Sequence, residues 1–466
     1  MKALMERLRE GTVGVLLLSA LAGGVALDLG SDGVERGREA PVKGPRFEER
    51  ALFCPPAAAG RAVTGRLTMA SESGDELEVE VSPQLTEPLA LEGGHARVVK
   101  VADPTIVIGR GGAVFASAMN AFSEPVAGVG AAPCSRSASS RWYFGEGSSI
   151  LGFDESLLVY NPFPDEAVVR VVFFTDVGES AKANLADVGV PAREWRAVRV
   201  NDFILRQRVL AASVEAVRGR VVAWRAATVK DERGSGVQLS LGSPTAGHTW
   251  YLPAGAVGED VFERIAVLNP SDEEAVVSVQ VLTSEKALQP PKLVDLAIPA
   301  RSSRSIPVGR SVTGRQAEEG GVGAIVRSTS GTDIVVEGTV FYDSRLLRGV
   351  ASAVGAQRPQ RDWLLGPAAL APDTDTAFLL NPGGETASVS IELWFGEDEP
   401  LRPGPLQDVE VGAGTRTRVQ LQKWTGRRPV VAVVASDAPI VAARSASTSA
   451  DVATIMGLPV ATRSEQ

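Results

Sequence analysis

Histidine and cysteine are nearly absent from this chain, with two of each in 466 residues. His95 stands in a Gly-Gly turn and His248 just ahead of a tryptophan. Neither has a cysteine or a second histidine at ligand spacing, so no metal site is expected. No G-x-S-x-G elbow is present for a hydrolase nucleophile. Gly145-Glu146-Gly147-Ser148-Ser149 lacks the lysine and the strand-to-helix setting of a phosphate loop. No cofactor motif occurs, so no cofactor is expected. The net charge is −9 and the charges are scattered rather than clustered, which argues against nucleic acid as a partner.

What the chain does have is a repeat. Trp142-Tyr143-Phe144-Gly145-Glu146-Gly147, Trp250-Tyr251-Leu252-Pro253-Ala254-Gly255 and Trp363-Leu364-Leu365-Gly366-Pro367 each lead to an Asn-Pro, at Asn161-Pro162, Asn269-Pro270 and Asn381-Pro382. Trp142 to Trp250 and Asn161 to Asn269 are both steps of 108; Trp250 to Trp363 is 113 and Asn269 to Asn381 is 112. Two landmarks holding one period mark a structural repeat. Each Asn-Pro is followed by an acidic or Gly-rich turn and a β-branched run: Val168 to Phe174, Ala275 to Leu282 and Ala387 to Leu393. Further short alternating runs follow in the same order. A fourth copy, without its tryptophan, lies upstream from Arg66 to Ala132.

About seven short strands per ~110 residues, with frequent turn signals, is the pattern of a β-sandwich. The expected fold is therefore all-β: tandem immunoglobulin-like β-sandwich modules over 48–137, 138–245, 246–358 and 359–466. A β-propeller is the alternative, disfavoured because its blades run to ~40–50 residues. Laid end to end, four such modules would reach over ~100 Å.

Residues 1–10 carry Lys2, Arg7 and Arg9, and Gly11 to Leu27 is uncharged. This reads as a basic cytoplasmic flank and a transmembrane anchor or signal peptide over 11–29, with the uncleaved anchor favoured. A flexible stalk over 30–47 would follow, and the bulk of the chain would lie outside the cytoplasm, secreted if the leader is cleaved. Cys54 and Cys134 bracket the first module, and in an exported chain they are expected to form a disulfide closing a loop of 80 residues.

The candidate functional residues are the repeated ones. Trp142, Tyr143, Trp250, Tyr251 and Trp363 would either form a ladder of exposed aromatics that stack on sugars or pack at module junctions, and packing is favoured because each opens its unit just after the previous one closes. Asn161, Asn269 and Asn381 are expected to cap turns, with Pro162, Pro270 and Pro382 stopping the strand. The acidic groups Asp154-Glu155, Asp272-Glu273-Glu274, Asp373 with Asp375, and Glu397-Asp398-Glu399 are expected to be mostly solvated turns rather than catalytic pairs or calcium loops.

Trp142 to Gly147, followed by Gly152-Phe153-Asp154-Glu155-Ser156-Leu157-Leu158-Val159-Tyr160-Asn161-Pro162, resembles the DUF5719 family of uncharacterised actinobacterial envelope proteins. The likeness runs from Ser140 to about Pro459 and departs at Leu364-Leu365-Gly366-Pro367. The resemblance implies an envelope location, with envelope glycosyltransferases as possible neighbours, and supplies no mechanism. The expected function is a non-enzymatic, extracytoplasmic scaffold or adhesion protein that organises envelope proteins or wall polymer near the membrane. Carbohydrate binding through the repeated aromatics is the alternative, and a glycoside hydrolase a remoter one.

Overall fold

A computed structural model describes residues 50–460, except for 58–61, 72–75, 310, 313, 315–316, 318–320, 345–346, 370 and 397. The flank, anchor and stalk expected over 1–47 lie outside the described residues.

The described chain is a succession of antiparallel sheets, two to a module. In each module one four-strand path has the same order. It comprises Ala96–Val101, Ala62–Ser71, Val114–Phe122 and Gly128–Pro133 in the first module, and Trp195–Arg199, Phe153–Tyr160, Val222–Asp231 and Gly234–Leu241 in the second. In the third it is Ser302–Pro307, Val261–Asn269, Val335–Asp343 and Arg348–Val354. In the fourth it is Thr415–Gln420, Thr374–Asn381, the second half of Val431–Ser447 and Val452–Met456. We call this the axial sheet and its partner the flanking sheet.

Strand alternation accounts for the two-layer packing. Ala275–Leu282 and Ala387–Trp394 bury every second residue, so Val277, Val279, Val389 and Ile391 face the axial sheet while Ser278, Gln280, Ser390 and Glu392 point the other way. The chain passes from flanking to axial sheet at a left-handed glycine in the first three modules, Gly111 (φ 91°), Gly219 (φ 81°) and Gly331 (φ 80°). In the fourth module no break occurs: Val431–Ser447 runs continuously, pairing first with Ala387–Trp394 and then with Thr374–Asn381. Because every repeat has two sheets around its own core, the propeller alternative, with one sheet per blade, does not describe this chain.

The modules do not extend into a rod. Residues 49–466 form one compact unit. The closing strand Gly128–Pro133 packs on Gly234–Leu241, that strand on Arg348–Val354, that on Val452–Met456, and this last back on Gly128–Pro133. The circle is therefore closed, with the four closing strands around its axis.

The flanking sheet of each module turns its outer face to the next. Tyr143, Val172, Phe174 and Ala211 of the second module join the core of the third. Leu282 and Ile325 of the third join the core of the fourth, and Leu364, Trp394 and Val431 of the fourth pack on Ala70, Ala96 and Phe115 of the first. A two-sheet sandwich that still has apolar residues on an outer face must cover them, and closing the circle covers all four faces.

Candidate functional site

The tryptophans are interior residues. Trp142, Trp250 and Trp363 are 1%, 1% and 2% exposed. Each indole N–H donates to a backbone carbonyl of its own module: Trp142 to Val221 at 2.7 Å, Trp250 to Ile334 at 2.8 Å and Trp363 to Ile440 at 3.0 Å. The next residue on the strand points the other way. Trp142 lies in the core of the second module, whereas Tyr143 lies in that of the third. Trp363 and Tyr251 both reach the core of the fourth module, Trp363 from inside it and Tyr251 across the junction. The Trp-aromatic pair is thus one core residue followed by one junction residue, a division set by the period of two along a strand. The exposed aromatic ladder is not what these residues form.

The asparagines have one shared geometry. Asn161 Nδ2 donates to the carbonyls of Asp165 (2.7 Å), Val190 (3.1 Å) and Pro191 (3.1 Å), and its Oδ1 accepts the Phe163 N–H at 3.1 Å. Asn269 repeats this with Glu273, Ile298, Pro299 and Ser271, and Asn381 with Glu385, Val411 and Gly383. The amide ties the hairpin after Asn-Pro to a strand end about thirty residues on, giving carbonyls at both places a partner. Pro162, Pro270 and Pro382 follow directly and have no N–H to pair.

Two of the acidic groups are not solvated turns. Glu155 and Asp375 occupy the same position on the axial strands Phe153–Tyr160 and Thr374–Asn381 and are 2% and 1% exposed. Asp375 grips Arg444 through both carboxylate oxygens, at 2.7 and 2.5 Å. Glu155 accepts the Ser148 N–H at 3.1 Å and lies 3.9 Å from Arg225. Arg225 also meets Glu337 at 2.5 Å, crossing from the second module to the third, and Glu146 of the second pairs with Arg264 of the third. Burial pushes Glu155 up to about 7 and also raises Glu146. Asp272, by contrast, is open to solvent, and His248 and Asp333 form a 3.0 Å pair at the surface.

Cys54 and Cys134 are bonded, joining the first strand of the first module to the segment after its last.

The axis itself holds the arrangement that the sequence did not single out. Gly128, Gly236, Gly349 and Asp451 occupy one repeat position, each followed by a valine. Asp451 is fully buried. Its Oδ2 accepts N–H groups from Val129 (3.2 Å) and Val237 (2.7 Å), and its Oδ1 from Val350 (3.0 Å) and Val452 (2.7 Å). One carboxylate thus takes one backbone donor from every module. A Cβ on any of the three glycines would collide with it. Desolvation raises Asp451 to about 7 against the opposing pull of the four amides.

Between the third and fourth modules lies a cleft of about 460 Å³ lined by Tyr342, Thr374, Thr376, Arg416, Arg418 and Gln420, among others. Asp373 and Asp375 also stand on its wall.

Fold and site together define the class: an all-β ring of four sandwich modules whose repeated signature residues are consumed in holding the ring. Residues 109–339 match the model of DUF5719, a family of unknown function. The match begins in the first module and ends in the third, a span that differs from the Ser140 to Pro459 of the sequence likeness. No curated protein matches the chain. Among solved structures, that of Thermotoga maritima 1070 is 20% identical, covering 22% of this chain and 96% of that one with a TM-score of 0.20. Streptomyces avermitilis α-L-rhamnosidase, complexed with L-rhamnose, is 11% identical, covering 80% of this chain and 52% of that one with a TM-score of 0.12. Neither likeness carries an argument about fold or function.

Proposed function

We propose that this protein is a non-enzymatic scaffold of the cell envelope, holding partner proteins or wall polymer close to the membrane through its N-terminal segment. The observation that supports this reading is the fate of the repeated residues. Tryptophans, tyrosines and asparagines that recur in register are all spent on cores, junctions and turns, so the repeat encodes a rigid body. The buried carboxylates favour the same reading, because Glu146 and Glu337 are paired with arginines across the junction of the second and third modules.

The test is fractionation and crosslinking of the full chain in its native host, followed by capture. Recovery in the membrane fraction, accessible to protease from outside and crosslinked to a defined envelope protein or to wall polymer, is the expected result. A cytosolic location, or hydrolysis of wall polysaccharide by the purified chain, would overturn it.

A further inference from the structure

Successive modules meet at equivalent interfaces, and the repeat register allows the same positions to be compared at each. Opposite one another on the axial strands stand Asp154 and Thr228 in the second module, Phe262 and Phe341 in the third, and Thr374 and Ser447 in the fourth. Two residues further on are Ser156, Arg264 and Thr376.

The interface of the second and third modules is filled. The rings of Phe262 and Phe341 lie 6.0 Å apart, Arg233 covers Phe262 and Arg264 covers Phe341 while pairing with Glu146. At the interface of the third and fourth modules four of these groups are replaced by smaller ones. The phenylalanines become Thr374 and Ser447, Arg264 becomes Thr376, and Glu146 becomes Ala254. The result is the cleft of about 460 Å³, within the ~300–1,000 Å³ usual for small-molecule sites.

Its wall carries two arginines. Arg416, Arg418 and Gln420 lie on one face of Thr415–Gln420 at a spacing of two, and all three line the cleft. Arg416 is positioned by the Pro253 carbonyl at 2.9 Å and by the Phe378 ring, 4.2 Å from its guanidinium carbon. Arg418 is exposed. The acids of the cleft are already engaged: Asp375 is held by Arg444 and Asp373 by Arg427 at 3.0 Å. Tyr342, Ser344, Thr374, Thr376 and Ser445 bring hydroxyls to the lining, beside apolar residues such as Val257 and Val261.

We propose that this cleft binds a small anionic polyol, a sugar carrying a carboxylate or a phosphate. Guanidinium groups select planar or tetrahedral oxyanions through charge-assisted hydrogen bonds, and hydroxyls and amides match a ring of sugar hydroxyls. The proposal is independent of the scaffold reading, since it concerns one interface and not the body as a whole.

Calorimetric titration of the full chain with digalacturonate, glucose 1-phosphate, cellobiose and inorganic phosphate tests it. At least one of the two acidic sugars binds, about tenfold or more tighter than cellobiose and inorganic phosphate, and the one that binds identifies the anion as carboxylate or phosphate. Arg418→Ala weakens that binding about tenfold, and Thr374→Phe, which restores the bulk of Phe262, abolishes it. Both positions are exposed, and unchanged melting curves establish that the variants are folded; if Thr374→Phe unfolds, Arg418→Ala alone decides. The proposal fails if neither acidic sugar binds at about 10 mM, if inorganic phosphate binds as tightly as the sugar phosphate, or if folded variants bind unchanged.

Discussion

Asp451 carries a carboxylate where Gly236 carries nothing, and the one fills the space left by the other. A side chain on Gly236 would collide with Asp451 Oδ1, while the adjoining Val237 N–H donates to Oδ2 at 2.7 Å. Gly128 and Gly349 stand in the same relation to it. Three modules thus provide room and a donor each, and the fourth provides the acceptor.

The substitution Asp451→Asn keeps the shape and removes half of the acceptor. An amide nitrogen in place of either oxygen faces two backbone N–H donors, leaving both unpaired in a fully buried site. At ~1–3 kcal/mol for each orphaned group the variant loses about 2–6 kcal/mol, read from urea unfolding. A loss below about 0.5 kcal/mol would show that the axis does not depend on this carboxylate.

Glu337 and Arg225 join the second and third modules from opposite sides. Glu337→Ala leaves the buried Arg225 charge without its hydrogen-bonded partner, with Glu155 and Glu146 more distant, and should cost about 3–5 kcal/mol. Glu337→Met combined with Arg225→Met removes both charges and should cost clearly less than the sum of the single changes. A double-mutant cycle measures the difference; additive losses would mean that the two side chains do not couple.

Among the buried carboxyls, Glu263 at about 8 and Glu155 at about 7 have folded values above those of the unfolded chain. In each case desolvation is the main cause. Between the unfolded carboxylate range near ~4 and these values, the folded protein retains protons that the unfolded chain has released. Stability from these groups is therefore present at low pH and is lost as pH rises through about 7 to 8. The melting temperature should fall between pH 6 and pH 8.5, and Glu263→Gln should flatten that slope. A slope that is the same in the variant would remove Glu263 from the account.

The bond between Cys54 and Cys134 closes a loop of 80 residues. On the loop-entropy model its loss costs roughly 4 kcal/mol, so Cys54→Ser should melt well below the parent. Because the first module packs on both the second and the fourth, the loss should be seen in the melting of the whole ring rather than as a separate early transition. A distinct low-temperature transition confined to residues 50–135, followed by hydrogen exchange, would show the first module unfolding alone.

The spacing of Trp142, Trp250 and Trp363, and of the three Asn-Pro pairs, made the modules legible in the sequence, because a strand order repeated with its turns leaves a period. Which way the repeated residues face was legible only in part. Tyr143 and Tyr251 look like Trp142 and Trp250 in a list of aromatics, and only strand pairing divides core from junction. Glu155 and Asp375 read as parts of acidic turns because their arginines lie 70 and 69 residues away, at Arg225 and Arg444. Asp451 sits in a stretch of small polar residues, Thr448-Ser449-Ala450-Asp451, with nothing local to mark it. The signal that would have found it is the alignment of the four closing strands, where three glycines face one aspartate. Closure into a ring was invisible for a related reason: it depends on outward-facing residues such as Phe174 and Leu364, whose partners belong to other modules.

A stack of repeats can lengthen by duplication, since a new copy docks on the last one. The circle built around Asp451 does not have that freedom. A fifth copy inserted by duplication would have to break the seam where Leu364 and Trp394 meet Phe115, and it would bring to the centre either a second acid or a further donor with no oxygen left to receive it. The copy number of this architecture is in that sense fixed at four by a single side chain, and its history can run through divergence of the copies but not through their multiplication.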